Sequence, residues 1–489
     1  MVKLIMKTMD TINITTMTPE RILQKPAFRR TIPADIITQS GPVYRRGSIN
    51  SLDSSRENLR FDLMTQADFL REFDVNAHAI NSLKYYPNPL SKDTDGKIYQ
   101  KIKTRVAIAF QEQIFIKRLA TLVNNNINLR IIASDSGAQD QQMLARFREG
   151  WELHNMENAL YESIGADGKV GDVALCFYLS SGTVGWRVFS YEKGDVLYPH
   201  FDPMTGRLVL LGRKYSMMDE DGMYTEYLDV YDDTSYMRYR IGPDGDGAAA
   251  AWEVDIDAIP HNFPFIPVAY DRYGEPFWAK SQSLIEQFEY AISQLCENNQ
   301  AYALRILYAF GAEMDMKSTV DGTPTMINSD TTDAKVGFLE PADASNSFTL
   351  QLKTLKEQIF KSSFAVETPE LKSGSDLSSL TVKMLYADAY QMGLIDAQHF
   401  QAFIDDIIRI FKYGYGLESG MSSEFALFKV KGEIMPYIFM SETEEVANIV
   451  QLKGIGALSQ KTASERAYEM GYAVNSEYDR VRREMEVGV

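Results

Sequence analysis

The chain has 489 residues, and its 67 acidic against 50 basic side chains give a formal net charge of −17. Hydrophobic residues make up 45% and charged residues 24%, which is typical of a globular protein and excludes a chain disordered throughout. A protein that grips duplex DNA normally carries excess Lys and Arg, so this balance argues against tight, static binding of nucleic acid. At about 100–200 residues per domain, the length predicts about two to four domains.

The cysteine content and the hydropathy pattern exclude further kinds of protein. Cys176 and Cys296 stand far apart in the sequence, so we expect no disulfide framework and no cysteine-rich metal site. The first residues lack the apolar core of a secretion signal, and no run of about 18 apolar residues could span a bilayer. We therefore expect a soluble protein made in a reducing cytoplasm.

The first half of the chain changes its periodicity twice. The polar, Thr- and Ser-rich segment 1–60 predicts an N-terminal arm, either a flexible tail or an arm that docks on a partner. Segment 99–124 has no Pro or Gly and repeats apolar residues at helical spacing, and 141–163 predicts a second helix with Gly150 as the candidate interruption. From 171 to 270, short aromatic and β-branched segments between turn residues predict an antiparallel β region.

The second half is predicted to be mostly helical. A long helix is expected over 281–310, with Leu284, Phe288, Ile292 and Leu295 along one face. The elements expected after it are a turn-rich insertion at 315–343 with short strands near 325–327 and 335–339, a helix over 347–364, a polar interruption at 366–376, a helix broken or kinked near Gly393 that runs to about 415, a strand within 425–440 and a helical tail at 442–489.

Motifs for catalysis or cofactor binding are missing. The five histidines lack the spacing of a metal site, and neither a phosphate-binding P-loop nor a GxSxG nucleophile motif occurs. Acidic turns at 93–96 and 219–222 lack the spaced ligands of a calcium loop. We expect no catalytic residue, no metal and no cofactor. An enzyme remains an alternative only because paired carboxylates need no sequence motif.

The order of elements predicts a stalk. Two long helices flank the insertion at 315–343, which therefore lies at the tip of the stalk. Apolar rows on a rod with no second layer imply that neighbouring copies of the chain pack side by side.

This order resembles the portal (head-to-tail connector) proteins of tailed bacteriophages. Segment 260–300 is similar to the passage from the wing domain into the first stem helix of that family. Segment 352–389 is similar to the second stem helix, the tunnel loop and the start of a long wing helix. Segment 429–471 is similar to a strand, an N-E-T-E-E motif and a crown helix with an L-S-x-x-T-A pattern, with Ser441 in place of the Asn.

The resemblance implies an α+β, portal-like fold with a helical and β wing, long stem helices, a small α/β clip and a short helical crown. The expected boundaries are 1–60 for the N-terminal arm, 61–275 for the wing, 276–314 for the first stem helix, 315–343 for the clip, 344–365 for the second stem helix, 366–376 for the tunnel loop, 377–441 for the long wing helix and strand, and 442–489 for the crown.

The resemblance also implies a function without enzymatic activity. The chain is expected to form a homo-oligomeric ring of about twelve copies at the capsid vertex, through which double-stranded DNA is packaged and ejected. The implied partners are further copies of the chain, DNA in transit, the major capsid protein, the terminase large subunit and head-tail adaptor proteins, with no membrane. The implied location is the virion, after synthesis in the host cytoplasm. The alternative is another virion structural or adaptor protein without a conduit.

Two groups of residues are expected to face the DNA. Inner lysines of the second stem helix, Lys353, Lys356 and Lys361, are expected to form sparse cationic rings, with ordinary solvated lysines as the alternative. The predicted tunnel loop consists of Val366, Glu367, Thr368, Pro369, Glu370, Leu371, Lys372, Ser373, Gly374, Ser375 and Asp376.

Overall fold

The computed structural model describes most of the chain and has both helices and strands, which confirms the α+β class. The described residues are 17–24, 31–33, 61–63, 65–92, 97–100, 102–123, 127–132, 138–218, 222, 224–241, 251–303, 306–310, 313–315, 326–328, 335–339, 345–367, 379–436, 442–457, 459–460 and 463–464.

The N-terminal part is mainly helical. Thr65 and Asp68 form a capping box at the start of the second helix, and Gly171, in a left-handed conformation with φ of 79°, ends the fifth. The elements are α1 (Pro19–Ile22), β1 (Thr31–Pro33), β2 (Phe61–Leu63), α2 (Gln66–Phe73), 3-10 turns at Val75–Ala77 and Ala79–Asn81, β3 (Leu90–Lys92), β4 (Ile98–Gln100), α3 (Phe110–Val123), β5 (Asn128–Ile131), α4 (Ala138–Leu153) and α5 (Met156–Val170).

Two antiparallel sheets follow, as the sequence predicts. Ser181 and Gly182, with φ of 53° and 83°, form the two-residue turn that suits the twist of a hairpin. The strands are β6 (Val173–Ser180), β7 (Thr183–Phe189), β8 (Val196–Phe201), β9 (Leu208–Met218), β10 (Tyr224–Tyr231), β11 (Ser235–Ile241), β12 (Trp252–Pro260) and β13 (Val268–Asp271). One sheet has the order β12-β11-β10-β9-β8 and the other β13-β6-β7.

Two helices joined by paired strands follow, and this hairpin, residues 282–363, is here called the stem. The elements are α6 (Gln282–Ala303), β14 (Ile306–Phe310), β15 (Glu313–Asp315), β16 (Met326–Asn328), β17 (Lys335–Leu339) and α7 (Ser345–Ser363). Strand β14 pairs with β17 and β15 with β16, both antiparallel. The chain thus runs outward along the first helix and returns along the second. At about 1.5 Å per residue, the helices are about 33 and 28 Å long.

A long helix returns the chain to the helices and sheets of residues 65–271, here called the wing. Helix α8 (Ser379–Glu418) has 40 residues and is followed by α9 (Ser422–Leu427), β18 (Val430–Glu433) and α10 (Glu442–Gly454). Strand β18 pairs with β5, so segments about 300 residues apart in sequence meet in one ladder.

One hydrophobic core joins the wing to the first half of α6 and the last part of α7. It contains residues of α3, α4, α5, the three-stranded sheet and α8, together with Phe288 of α6 and Ile359 and Phe360 of α7. Leu284 and Ile292 pack against this core as well. The prediction that the stem helices lack a second layer is therefore wrong for the part of the stem next to the wing. Much of the apolar face there is covered within one chain.

Part of the predicted N-terminal arm packs on the wing of its own chain. Ile22 is fully buried against Leu210, Leu228 and Val230 of the five-stranded sheet. Most of 1–60 lies outside the described residues, so the choice between tail and docking arm stays open there.

Several predicted boundaries are wrong. Residues 102–109 are not helical: the amides of Val106 and Ile108 donate to Ser293 Oγ and Glu289 Oε1 of α6, both at 2.9 Å, which holds this segment extended along the first stem helix. The helix predicted over 281–310 ends at Ala303, because 306–310 pairs with a distant strand that local periodicity cannot reveal.

Two glycine assignments are also wrong. Helix α4 continues through Gly150, and the interruption falls at Asn155, whose φ is 51°. Helix α8 is continuous through Gly393, where a Cβ would lie 3.0 Å from Pro436 and from Thr121. Gly393 therefore permits close packing instead of breaking the helix. Within the described residues 425–436, the strand predicted over 425–440 covers Val430–Glu433 and is preceded by α9.

Candidate functional site: the end of the second stem helix

The predicted DNA-facing residues fall partly within the described chain. Lys353, Lys356 and Lys361 lie on α7, and Val366 and Glu367 follow its end. The remaining predicted loop residues, Thr368, Pro369, Glu370, Leu371, Lys372, Ser373, Gly374, Ser375 and Asp376, lie outside the described residues. Of the predicted loop, the structure thus describes the first two residues, called the base of the loop.

A helix-capping turn sets the direction in which the loop leaves α7. The amide of Ala365 donates to the carbonyl of Phe360 and the amide of Phe364 to that of Lys361, at 3.1 and 3.3 Å. Together these bonds form a Schellman motif, in which the residue after the helix is left-handed. Phe364 has φ of 58°, although glycine is usual at this place. A bulky residue held left-handed costs about 1–3 kcal/mol, so the surrounding packing must maintain this turn.

Packing around the turn supplies that constraint. Ala365 is buried in the main core, and Lys280 places its Nζ 5.6 Å from the ring centre of Phe364. The buried hydroxyl of Ser281 bonds to the carbonyl of Ile359 at 2.9 Å and to the hydroxyl of Ser362 at 2.8 Å. The start of α6 and the end of α7 are therefore tied together where the loop begins.

Lys117 of α3 fixes the first residue of the loop. Its ammonium group donates to the carbonyl of Val366 and lies 4.7 Å from the ring centre of Phe360. Burial lowers the pKa of Lys117, and the positive charge of Lys356 adds to this effect while Glu367 opposes it. Lys117 could not be predicted as a site residue, because nothing in the sequence of its helix shows that the side chain contacts a residue about 250 positions away.

The predicted lysines are only partly available to an anion. Lys356 pairs with Glu367 at 2.7 Å, with side chains 47% and 38% exposed. Lys353 lies 3.9 Å from Glu357, and both are largely exposed. Lys361 is exposed in the last turn of α7. Because exposed pairs contribute about 0–1 kcal/mol, phosphates could displace them readily.

Helix α8 begins after the predicted loop, and a buried ion pair anchors it to the wing. Arg118 Nη2 lies 2.6 Å from Asp396 Oδ2, and the hydroxyl of Tyr273 donates to Asp396 Oδ1 at 2.9 Å. Arg118 also donates to the carbonyl of Phe277 at 2.9 Å. Burial by itself would lower the pKa of Arg118, but Asp396 and Tyr273 outweigh it and the pKa is raised. The guanidinium therefore stays charged.

Comparison with protein families decides the identity. The model of the family described as "Phage portal protein, SPP1 Gp6-like" matches residues 77–486, which is most of the chain. The chain belongs to this family of phage portal proteins. The resemblance drawn from the sequence is confirmed. The family is a family of structural proteins and not of enzymes. The comparison with curated proteins finds no match.

The helices of this portal protein were also compared with what a bilayer requires. None of those in the described part of the chain combines the length and the apolar character that a membrane crossing needs.

Proposed function

We propose that this portal protein assembles into a closed ring of about twelve copies that forms the channel for double-stranded DNA at the capsid vertex. The observation that carries the proposal is the family match over residues 77–486. The out-and-back course of α6 and α7, with β14–β17 paired at its far end, supports a stem with a narrow tip.

The charge of the chain suits a channel through which DNA must pass without being retained. A net charge of −17 repels phosphates at long range. Lys353, Lys356 and Lys361 supply local positive charge on α7, and the weak pairs at Lys353 and Lys356 limit its strength. We place these lysines and the loop 366–376 on the DNA-facing side of the ring, with the loop at the narrowest point.

The remaining surfaces are assigned to partners by position. The clip at 315–343 would dock the terminase large subunit during packaging and head-tail adaptor proteins afterwards. The wing would contact the major capsid protein. The two pairs of short antiparallel strands between α6 and α7 support the clip assignment.

Native mass spectrometry with negative-stain imaging of the purified full chain tests the assembly. We expect a particle of about twelve copies with a central hole. A monomer or dimer at micromolar concentration over a range of salt would contradict the ring and favour the alternative of an adaptor without a conduit.

A charge reversal on α7 tests the DNA-facing assignment separately. We expect Lys356→Glu to leave assembly unchanged and to reduce the amount of packaged DNA, because a cation near the phosphates becomes an anion. The matched control is Lys431→Glu, since Lys431 also pairs with a glutamate, Glu433 at 3.3 Å, but lies on β18 of the wing. Equal packaging by both variants would contradict the assignment.

A further inference from the structure

Three metal-ligating side chains from separate elements meet where α8 crosses the wing. Asp167 lies in the last turn of α5, Asp271 ends β13 and His399 lies on α8. One ligand atom of each side chain lies within 4.8 Å of those of the other two. Nε2 of His399 is 3.0 Å from Oδ2 of Asp271. Because these residues are far apart in sequence, no motif could have revealed the cluster.

The two carboxylates of this cluster repel each other in a buried place. Asp167 is fully buried, and its oxygens accept the amide hydrogen of Tyr273, each at 3.2 Å. Burial first, and then the neighbouring carboxylate of Asp271, raise the pKa of Asp167 well above its usual value. The carboxyl end of α5 adds the negative end of a helix dipole. A cation bound between the two carboxylates would offset this repulsion.

Burial is graded across the cluster. Asp167 is buried, the side chain of Asp271 is 13% exposed, and that of His399 is 35% exposed. The carboxylates therefore form the floor of the site and the imidazole lies at its mouth.

We infer that Asp167, Asp271 and His399 bind one divalent transition-metal cation. One imidazole nitrogen with two carboxylate oxygens suits Zn²⁺ or Mn²⁺ better than Mg²⁺, which prefers oxygen ligands and retains its water. Three protein ligands leave a further position for water. The cation offsets the repulsion between the two buried carboxylates.

The site would join three parts of the wing. It links α8 to α5 and to β13, and His399 lies one helical turn beyond Asp396, the residue that anchors α8 through Arg118. A bound cation would therefore stiffen the wing end of the helix that begins after the loop. This inference does not depend on ring formation, because metal uptake can be measured on the purified chain in any assembly state.

Metal uptake by the full chain tests the inference. Protein stripped with a chelator and dialysed is titrated with Zn²⁺, Mn²⁺ or Mg²⁺ at neutral pH, and bound metal is measured by elemental analysis and calorimetry. We expect one Zn²⁺ or Mn²⁺ per chain, Zn²⁺ more tightly, and a melting temperature about 5 °C higher at saturation. No stoichiometric uptake of either cation would overturn the inference.

Variants locate the site. His399→Gln and Asp271→Asn should each weaken Zn²⁺ binding at least about tenfold, since each removes one ligand. Gln398→Ala is the matched control, because Gln398 is an exposed neighbour on the same helix and should bind as the unmodified chain does. His399 is partly exposed, so its variant should fold. Unchanged affinity in both ligand variants would place the metal elsewhere and overturn the assignment.

Discussion

Two ion pairs flank the loop, and they have almost the same length but very different surroundings. Arg118 and Asp396 lie 2.6 Å apart with side chains 7% and 2% exposed, while Lys356 and Glu367 lie 2.7 Å apart with side chains 47% and 38% exposed. The first is enclosed by protein, and the second is screened by water and salt. Distance alone therefore says little about strength, and burial decides what each pair does.

The comparison separates a rigid anchor from a replaceable contact. Removing one partner of the buried pair leaves a charge without solvation, whereas removing one partner of the exposed pair leaves a charge that water stabilises. We therefore expect the wing end of α8 to be fixed and the base of the loop to be easily rearranged.

The largest expected effect comes from breaking the buried pair. Asp396→Ala should destabilise the protein by about 3–5 kcal/mol, because Arg118 is left charged and Tyr273 loses its acceptor. Chemical denaturation of the wing, followed by aromatic fluorescence, measures this. The double variant Arg118→Met with Asp396→Leu should recover most of the loss, and a loss as large as that of Asp396→Ala would refute the electrostatic explanation.

A pH effect is expected at the end of the five-stranded sheet. His261 Nε2 donates to the carbonyl of Asp232 at 3.0 Å, and its Nδ1 accepts the amide hydrogen of Phe263 at 3.2 Å. These two bonds require the neutral form of the ring, in which one nitrogen donates and the other accepts. Burial lowers the pKa of His261 below 6.5. As pH falls from about 6.5 through the folded pKa, the unfolded chain therefore binds a proton before the folded chain does. The free energy of unfolding decreases over this range.

The test compares stability between pH 7.5 and pH 5.5. His261→Gln should lose less stability over this range than the unmodified chain, since glutamine does not titrate. An equal slope in both proteins would exclude His261 as a contributor.

A smaller, local effect is expected at the base of the loop. Lys117→Met keeps the contact with the ring of Phe360 but removes the bond to the carbonyl of Val366. Global stability should change by less than about 1 kcal/mol, because the buried ammonium also loses its desolvation cost. Hydrogen exchange should quicken at the amides of Ala365 and Val366. Unchanged exchange there would show that the Schellman turn holds the loop without Lys117.

The smallest effect is expected at the exposed pair on α7. Lys353→Ala should change stability by no more than about 0.5 kcal/mol, because its contact with Glu357 is long and solvated. A thermal melt at low and high salt measures it. A loss above about 2 kcal/mol would mean that the exposed pair contributes to stability as a buried pair does.

Local patterns predicted much of the fold. The aromatic and β-branched segments from 171 onward became strands, and the apolar spacing of 347–364 became a helix close to Ser345–Ser363. Turn chemistry and periodicity act over a few residues, so the sequence contains them directly. Strand Trp252–Pro260 lies within the β region predicted over 171–270.

Long-range contacts could not be predicted. Residues 102–109 look helical by composition, but Ser293 and Glu289 of α6 take the amides of Val106 and Ile108. The role of Lys117 and the meeting of Asp167, Asp271 and His399 likewise depend on the assembled fold. For such features the sequence supplies the residue types and only tertiary structure supplies the neighbours.

A cryo-electron-microscopy reconstruction of the assembled protein tests the central claim most directly, because it locates the base of the loop relative to the axis of the ring. We predict a central channel with Lys356 and Glu367 on its inner side, 366–376 at the narrowest point, and Arg118 and Asp396 enclosed in the wing. A ring with Glu367 on its outer surface, or a particle with no channel, would contradict the account.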